Sequence, residues 1–396
     1  MGLAIDGKLS LGAIFNRRNF AVSALAVLLA GCAVVPKGAD VPTTTVDPNP
    51  EPSATALPTD QTRHRIALLV PTSGNNGAVG QSIANATTMA LLDTNASNLR
   101  ITTYDTGTSA RDAARRAIAD GNKLILGPLM GNNVANVASI ARPANVPLIA
   151  FSNDTRVAAA DVFVMGHIPE QSIARSVEYA RGQGARNFAI LAPNGEYGRR
   201  AEAAMQSSVA RYGGQVSEVE RYARGNTSIV SAAQRLQERG GFDSVLIPEG
   251  AQLATRAAGQ IRPGGSGNTR IIGTELWSGE NAVTRASALR GAVFSAVSDN
   301  RYRRFVTSYE GRFGGQPYRL ATLGYDSVLL ALRVAQDWRI GSDFPVSRLR
   351  DDGGFLGLDG AFRFQRNGVV ERAMEVRQIR QGEVSIVDAA PRRFGN

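Results

Sequence analysis

The chain has 396 residues, 43% of them hydrophobic, and its 44 Lys and Arg against 34 Asp and Glu leave a formal net charge of +10. That composition is globular, with room for two ordinary domains, and excludes a fibrous or wholly disordered protein. The single cysteine excludes a disulfide within the chain, and the basic residues are scattered singly, so none of them forms the stripe of a nucleic-acid surface.

In chain order, Lys8, Arg17 and Arg18 precede an uncharged segment from Phe20 to Ala30. A charged stretch followed by a short apolar one is the layout of an export signal, too short for a membrane-spanning helix. Leu29-Ala30-Gly31-Cys32 closes the segment. A small-residue pair before a solitary cysteine resembles the lipobox of bacterial lipoproteins, which implies removal of residues 1–31, acylation of Cys32 and anchoring to a membrane. The alternative is a free cysteine in an ordinary exported protein. Asn16-Arg17-Arg18-Asn19-Phe20 resembles a twin-arginine export motif. Ala33 stands where an aspartate would retain a lipoprotein at the inner membrane, so the resemblance implies the inner leaflet of the outer membrane.

Residues 33–62 are rich in Pro, Thr, Asp and Ala, as in Pro48-Asn49-Pro50-Glu51-Pro52, without apolar periodicity. Such a segment cannot bury enough surface to offset its ordering entropy. With Cys32 it reads as a disordered tether over 32–62, and proline-rich chain of this kind extends by ~3.1 Å per residue.

Folded sequence starts near Arg65. Ile66-Ala67-Leu68-Leu69-Val70 is a continuous apolar run ended by Pro71, the pattern of a strand covered on both faces. Periodicity then predicts a helix over 81–93, a strand over 101–104, a helix over 110–119, a strand over 124–126, a helix over 133–141 and a strand over 148–151. The same grammar resumes with helices over 171–181, 199–212, 229–239 and 252–261, alternating with strands over 188–191, 216–221, 245–247 and 271–272. A strand over 292–296 and helices over 303–312 and 322–338 follow. Residues 360–364 and 375–379 alternate with a period of two and predict a late hairpin. Short strands alternating with longer helices give an α/β fold of two doubly wound parallel-sheet lobes around a central cleft. The expected division of 63–396 puts 63–168 and 297–345 in the first lobe, and 169–296 and 346–390 in the second.

Several segments carry a family resemblance. Ile66-Ala67-Leu68-Leu69-Val70-Pro71-Thr72-Ser73-Gly74, Val79-Gly80-Gln81, Leu126-Gly127-Pro128-Leu129, Val146-Pro147-Leu148-Ile149, Glu196-Tyr197-Gly198 and Phe362-Arg363-Phe364-Gln365-Arg366-Asn367-Gly368 resemble, in order, the type I periplasmic binding proteins of the leucine/isoleucine/valine-binding kind. Ala150-Phe151-Ser152-Asn153-Asp154, Asp161-Val162-Phe163-Val164-Met165-Gly166 and Asp388-Ala389-Ala390-Pro391-Arg392-Arg393-Phe394-Gly395, with the lipobox and tether, resemble the penicillin-binding protein activators built on that fold. This second resemblance implies a noncatalytic lipoprotein that binds and activates a bifunctional penicillin-binding protein. The first, taken alone, implies the substrate-binding lipoprotein of an ABC importer for amino acids or related small solutes.

In sheets of this kind ligands sit beyond the carboxyl ends of the strands, where helix N-termini present free N–H groups. Those positions are Ser73 and Gly74, then Asn132 and Asn133 at the start of a helix, then Ser152, Asn153 and Asp154 after the fourth strand. From the second lobe Glu249 and Glu275 follow strands. The resemblance implies that the first lobe holds a carboxylate with backbone and hydroxyl groups, while Glu275 takes an ammonium, so a small amphoteric ligand fits. Against this, Asp154 would repel a carboxylate, and Leu246 supplies no aromatic stacking group. The same asparagines and serines also serve as helix caps and strand ends.

No catalytic constellation emerges. His64 and His167 are the only histidines, neither has a partner at metal-ligand spacing, and no phosphate-binding glycine-lysine loop occurs. No cofactor and no metal are expected.

Overall fold

The computed structural model describes residues 62–224, 228–265, 267–391 and Phe394. Cys32, the export signal and nearly all of the tether lie outside the described residues.

The first lobe is built from β1 (His64–Val70), α1 (Gly77–Asp93), β2 (Leu99–Asp105), α2 (Ala110–Ala119), β3 (Leu124–Leu126), α3 (Gly131–Ala141), β4 (Leu148–Ala150) and β5 (Val162–Val164). All pairings are parallel, in the order β2-β1-β3-β4-β5, with Ile66 opposite Ile101 on one side and Leu124 on the other. β1 is apolar on both faces because each face is covered. Leu68 and Val70 enter a core with Ile83 of α1, whereas Ala67 and Leu69 pack with Ala113 of α2 and Val137 of α3.

The second lobe follows the same plan with α4 (Pro169–Gly182), β6 (Asn187–Pro193), α5 (Glu196–Arg211), β7 (Gln215–Tyr222), α6 (Ser228–Arg239), β8 (Ser244–Leu246), α7 (Ala251–Ile261), β9 (Arg270–Ile272), α8 (Asn281–Arg285) and β10 (Val293–Ala296). The chain then returns to the first lobe for α9 (Asn300–Phe313) and α10 (Ala321–Ala335). The final strands are β11 (Phe355–Gly357), β12 (Gly360–Phe364), β13 (Val370–Arg372), β14 (Glu375–Ile379) and β15 (Val384–Asp388). The second sheet runs β15-β14-β10-β9-β8-β6-β7, parallel except at β14 and β15.

Two sequence expectations are corrected here. Residues 360–364 and 375–379 do not form a hairpin with each other: β12 pairs with β11 and β13, while β14 pairs with β10 and β15. The strands from 355 to 372 also belong to the first lobe, not the second. Phe355, Phe362, Phe364 and Val370 are buried in the core shared with Ile66 and Phe163, and Phe364 meets Phe163 edge-to-face at 5.2 Å. Hydrophobic burial beneath β5 decides their side, and the last crossing to the second lobe comes only between β13 and β14. Strand β5, absent from the predicted elements, is the edge of the first sheet.

A close approach repeats in both lobes. β1 ends at Val70 before Pro71, β6 ends at Pro193, and the following helix lays a glycine on the proline carbonyl. A Cβ on Gly80 would stand 1.7 Å from the Pro71 oxygen, and one on Gly198 1.7 Å from the Pro193 oxygen. These two glycines set how close α1 and α5 start to their sheets, and hence where the loops at the cleft mouth lie.

Candidate functional site

Between the lobes lies a cavity of about 570 Å³, within the usual range for small-molecule sites. Loops after the carboxyl ends of β3 and β4 supply Gly131, Ser152 and Asn153, and the turn after β9 supplies Glu275 and Ser278. Val79, Leu129, Phe151, Leu276 and Leu320 give it an apolar wall, and His167 and Arg319 line the side where the chain crosses between lobes.

Of the sequence-predicted residues, Ser152, Asn153 and Glu275 line this cavity; Ser73, Gly74, Asn132, Asn133, Asp154 and Glu249 do not. Ser73 is exposed and its hydroxyl donates to Asp105 Oδ2 at 2.6 Å. That bond, with backbone N–H groups of Gly107, Thr72 and Ser73, holds the Asp105 carboxyl down at about 2. Gly74 sits in the same exposed turn, and Asn132 is exposed on the first turn of α3 with Asn133 beside it. Asp154 is drawn away by a two-bond pair with Arg156, at 2.9 and 3.0 Å. Glu249 is buried outside the cavity, where it accepts from the Tyr222 hydroxyl and, at 2.8 Å, from Arg224 Nε. Its expected place in the cleft is therefore corrected: Tyr222 and Arg224 hold it inside the second lobe.

Glu275 opens a short 3₁₀ turn, Glu275–Trp277, whose Trp277 indole fills the lobe core and donates to the Glu249 carbonyl at 2.8 Å. Glu275 Oε1 accepts from the Tyr197 hydroxyl at 3.3 Å, while Oε2 is shut off from solvent without a hydrogen-bond partner. Burial pushes the carboxyl up to about 7; the Tyr197 bond opposes the rise and the Glu170 charge adds to it. The folded state thus retains a proton that the unfolded chain gives up near 4.5, so Glu275 costs nothing at low pH and costs stability as the pH rises from 4.5 through 7. At pH 8 that cost is about 3 kcal/mol. Glu275→Gln is expected to raise the urea midpoint at pH 8 and leave it unchanged at pH 4, and equal midpoints at pH 8 would contradict this assignment.

The lobes touch directly at the mouth of the cleft. Arg200 of α5 is held by Glu170 of α4 at 2.6 and 2.8 Å and donates across the cleft to the Asn153 carbonyl at 2.8 Å. Beside it, Arg156 of the first lobe lies 3.4 Å from Glu196 of the second. The loop 152–156 is therefore occupied by protein: Ser152 Oγ receives the Asp154 N–H at 3.0 Å, and Asn153 and Arg156 are bound from across the cleft.

A second cluster, centred on the fully buried Asp359, sits at the crossings. The Asp359 carboxylate accepts from His167 Nε2 at 2.7 Å, Thr322 Oγ1 at 2.9 Å and Arg319 Nη1 at 2.5 Å, with Arg372 Nη1 at 3.9 Å. Arg372 also donates to the Met165 carbonyl at 2.7 Å, and Arg377 joins Asp299 to Glu375. Every crossing between the lobes contributes: Met165 and His167 from the first, Asp299 from the second, Arg372, Glu375 and Arg377 from the third. Burial alone would raise the Asp359 carboxyl, but Arg319, His167 and Arg372 outweigh it and hold it far below the ordinary range. Burial and the Asp359 charge push neighbouring Asp326 up, and burial keeps the His167 ring neutral against the pull of Asp359. Arg319, Asp359 and Arg372 escaped sequence reading; no local spacing links positions 167, 319, 359 and 372. Tyr197 stood in a family-like segment, Glu196-Tyr197-Gly198, and could have been found there.

Among the described residues there is no group of three or more His, Cys, Asp or Glu able to hold a metal, and no helix is long and apolar enough to cross a membrane.

Two α/β lobes with a cleft at the carboxyl ends of both sheets define a bilobed binding protein. The chain belongs to the periplasmic binding protein family, whose sequence profile matches residues 64–383. Among curated relatives, RP748 of Rickettsia prowazekii (strain Madrid E), an uncharacterized protein, is 28% identical over 180 residues, 45% of this chain and 48% of that one. The penicillin-binding protein activator LpoA of Glaesserella parasuis serovar 5 (strain SH0165) is 27% identical over 137 residues, 34% of this chain and 23% of that one. The chain thus spans less than half the length of these relatives. A solved structure attributed to a branched-chain amino acid ABC transporter of Rhodospirillum rubrum shares the fold, with a TM-score of 0.72 at 18% identity, covering 82% of this chain and all (100%) of that one.

Proposed function

We propose that this chain is a noncatalytic regulator of peptidoglycan synthesis, tethered to the outer membrane through Cys32, that binds and activates a bifunctional penicillin-binding protein. The observation that carries the reading is the occupied loop 152–156. In this loop the Asp154 N–H is spent on Ser152 Oγ, Arg156 faces Glu196, and Arg200 reaches across from the second lobe to the Asn153 carbonyl, so protein groups join the lobes at the cleft mouth, which favours a module working by contact over a carrier that opens and closes on a solute. The likeness to LpoA supports it, as does the tether, which gives the reach a partner across the periplasm demands. The mechanism is differential affinity: the regulator binds the active conformation of the synthase more tightly than the inactive one.

The test is binding of the full-length chain to the periplasmic part of the bifunctional penicillin-binding protein of the same organism. Saturable binding at about 1 μM or tighter, with an altered cross-linking rate, is expected; no binding at about 100 μM refutes the reading. A second reading, the substrate-binding part of an amino-acid importer, is favoured by Glu275 in the cavity wall. It requires an amino acid to raise the melting temperature of the chain.

A further inference from the structure

We propose that the face of the first lobe where α1, α9, α10 and β11 meet docks an acidic segment of the penicillin-binding protein, one that carries apolar anchors between its carboxylates. The proposal rests on the regulator reading above; it adds which surface makes the contact and what chemistry meets it.

Two adjoining hollows mark this face, away from the cleft. One, of about 300 Å³, lies between Met89 and Asp93 at the end of α1, Arg304 and Phe305 of α9, Tyr325 of α10 and Leu358. The other, of about 320 Å³, lies between Leu329 and Arg333 of α10 and Phe355 and Leu356 of β11. Tyr325 and Asp326 are consecutive on α10 and line one hollow each, so a single segment lying along α10 enters both. Among the large hydrophobic side chains exposed in the described residues, the two most exposed stand here: Leu92 at 66% and Leu356 at 59%. Leu356 lines the second hollow, and Leu92 is three residues from Met89, on the same side of α1. Large apolar side chains left to solvent beside a concave surface mark a contact site.

The rim is cationic. Arg301 and Arg304 share one side of α9, and Arg333 stands at the second hollow on α10. None of the three forms an ion pair with a described residue: Arg301 donates to the Gly357 carbonyl at 2.8 Å, Arg333 to the Gln336 side chain at 2.7 Å, and Arg304 is exposed. Arginines elsewhere on the surface are matched, as Arg235 and Arg239 are by Glu218 and Glu220. The carboxylates beside the hollows are spent. Asp93 takes Arg312 at 2.5 Å and the Tyr325 hydroxyl at 3.1 Å, and buried Asp326 accepts from the Leu358 N–H at 2.6 Å. Glu310, the one acidic residue of α9, follows Arg301 by two and a half turns and so lies on the opposite side of the helix.

An apolar floor under unmatched guanidinium groups is complementary to apolar anchors flanked by carboxylates, which arginine binds with two parallel hydrogen bonds. A second copy of the chain is itself basic, with a formal charge of +10, and brings the wrong sign to this face. A lipid surface supplies negative charge but no side chains to fill two hollows.

The experiment is calorimetric titration of the full-length chain with the periplasmic part of the bifunctional penicillin-binding protein of the same organism, with hydrogen exchange on the complex. Arg304→Glu and Leu356→Asp, both at exposed positions and checked for an intact melting transition, are each expected to weaken binding about 10-fold or more. Arg111→Glu makes the same charge change on an exposed position of α2 and is expected to alter affinity less than about twofold. Exchange is expected to slow over residues 301–308 and 354–358. Added salt should weaken the parent more steeply than Arg304→Glu. If the parent binds and both folded variants bind as tightly, the surface assignment is overturned while the regulator reading stands; equal loss with Arg111→Glu overturns it too, since net charge alone then acts. If the parent does not bind, the regulator reading fails and the assignment falls with it. Variants that keep synthase binding but lose self-association, or lose binding to phosphatidylglycerol vesicles, give the face to a second copy or to lipid and likewise overturn the proposal.

Discussion

Asp359→Asn is expected to cost about 3–5 kcal/mol and to lower the melting temperature by about 10 °C. The substitution preserves shape and removes one charge. What remains is the buried Arg372 and the partly buried Arg319, two cations now without the carboxylate between them. Breaking a buried pair leaves an uncompensated charge in a low-dielectric interior, and its desolvation dominates. The pH dependence follows from the depressed carboxyl. Because Asp359 ionises far more readily in the folded chain than in the unfolded one, its contribution is complete above the ordinary carboxylate pKa of 3.8 and is lost as the pH falls below it. Parent and variant should therefore differ fully at pH 7, and the difference should begin to shrink only as the pH falls below 3.8. Denaturant midpoints at pH 7 and at a series of values below 3.8 check this, and a difference of less than about 1 kcal/mol at pH 7 would show that the cluster contributes little. Since Asp359 ties together residues from the crossings, the variant should also sample a wider range of lobe angles, which small-angle scattering reads as a larger radius of gyration.

Gly80→Ala and Gly198→Ala are each expected to destabilise by about 3 kcal/mol. Their added methyls would overlap the carbonyls of Pro71 and Pro193, which are backbone atoms that cannot swing aside, so α1 or α5 must move off its sheet. Gly259→Ala is the internal control. It lies in α7 with nothing within 4 Å of the new methyl, so helix propensity alone acts and the change should stabilise by about 0.5–1 kcal/mol. If all three substitutions had the same sign, the close-approach argument would fail. Gly198→Ala carries a second consequence. Moving the start of α5 shifts Tyr197 relative to Glu275 and Arg200 relative to Asn153, so the cleft contacts should loosen together.

Continuous apolar runs such as Ile66-Ala67-Leu68-Leu69-Val70, ended by proline and followed by helical periodicity, repeat through both halves, and the α/β fold was legible from them. Their information is local: a strand buried on both faces must be apolar throughout, whatever its neighbours are. Glu275 was legible as a cleft residue for a similar reason, since it follows a strand end directly. The partition of residues 346–372 was not. The alternation in Phe362-Arg363-Phe364 says that one face is buried but not beneath which sheet, and contact with Phe163, distant in the chain, decided it. Nor could spacing reveal that Ser73 is bound by Asp105, Asp154 by Arg156 and Glu249 by Tyr222, or that His167, Arg319, Asp359 and Arg372 meet. The sequence by itself determined the elements, their order and the strand ends that face the cleft, because hydrophobic periodicity acts within a few residues. Only the tertiary structure decided which polar groups are paired and which are buried without a partner, because charge pairing depends on distances between positions the chain brings together only on folding.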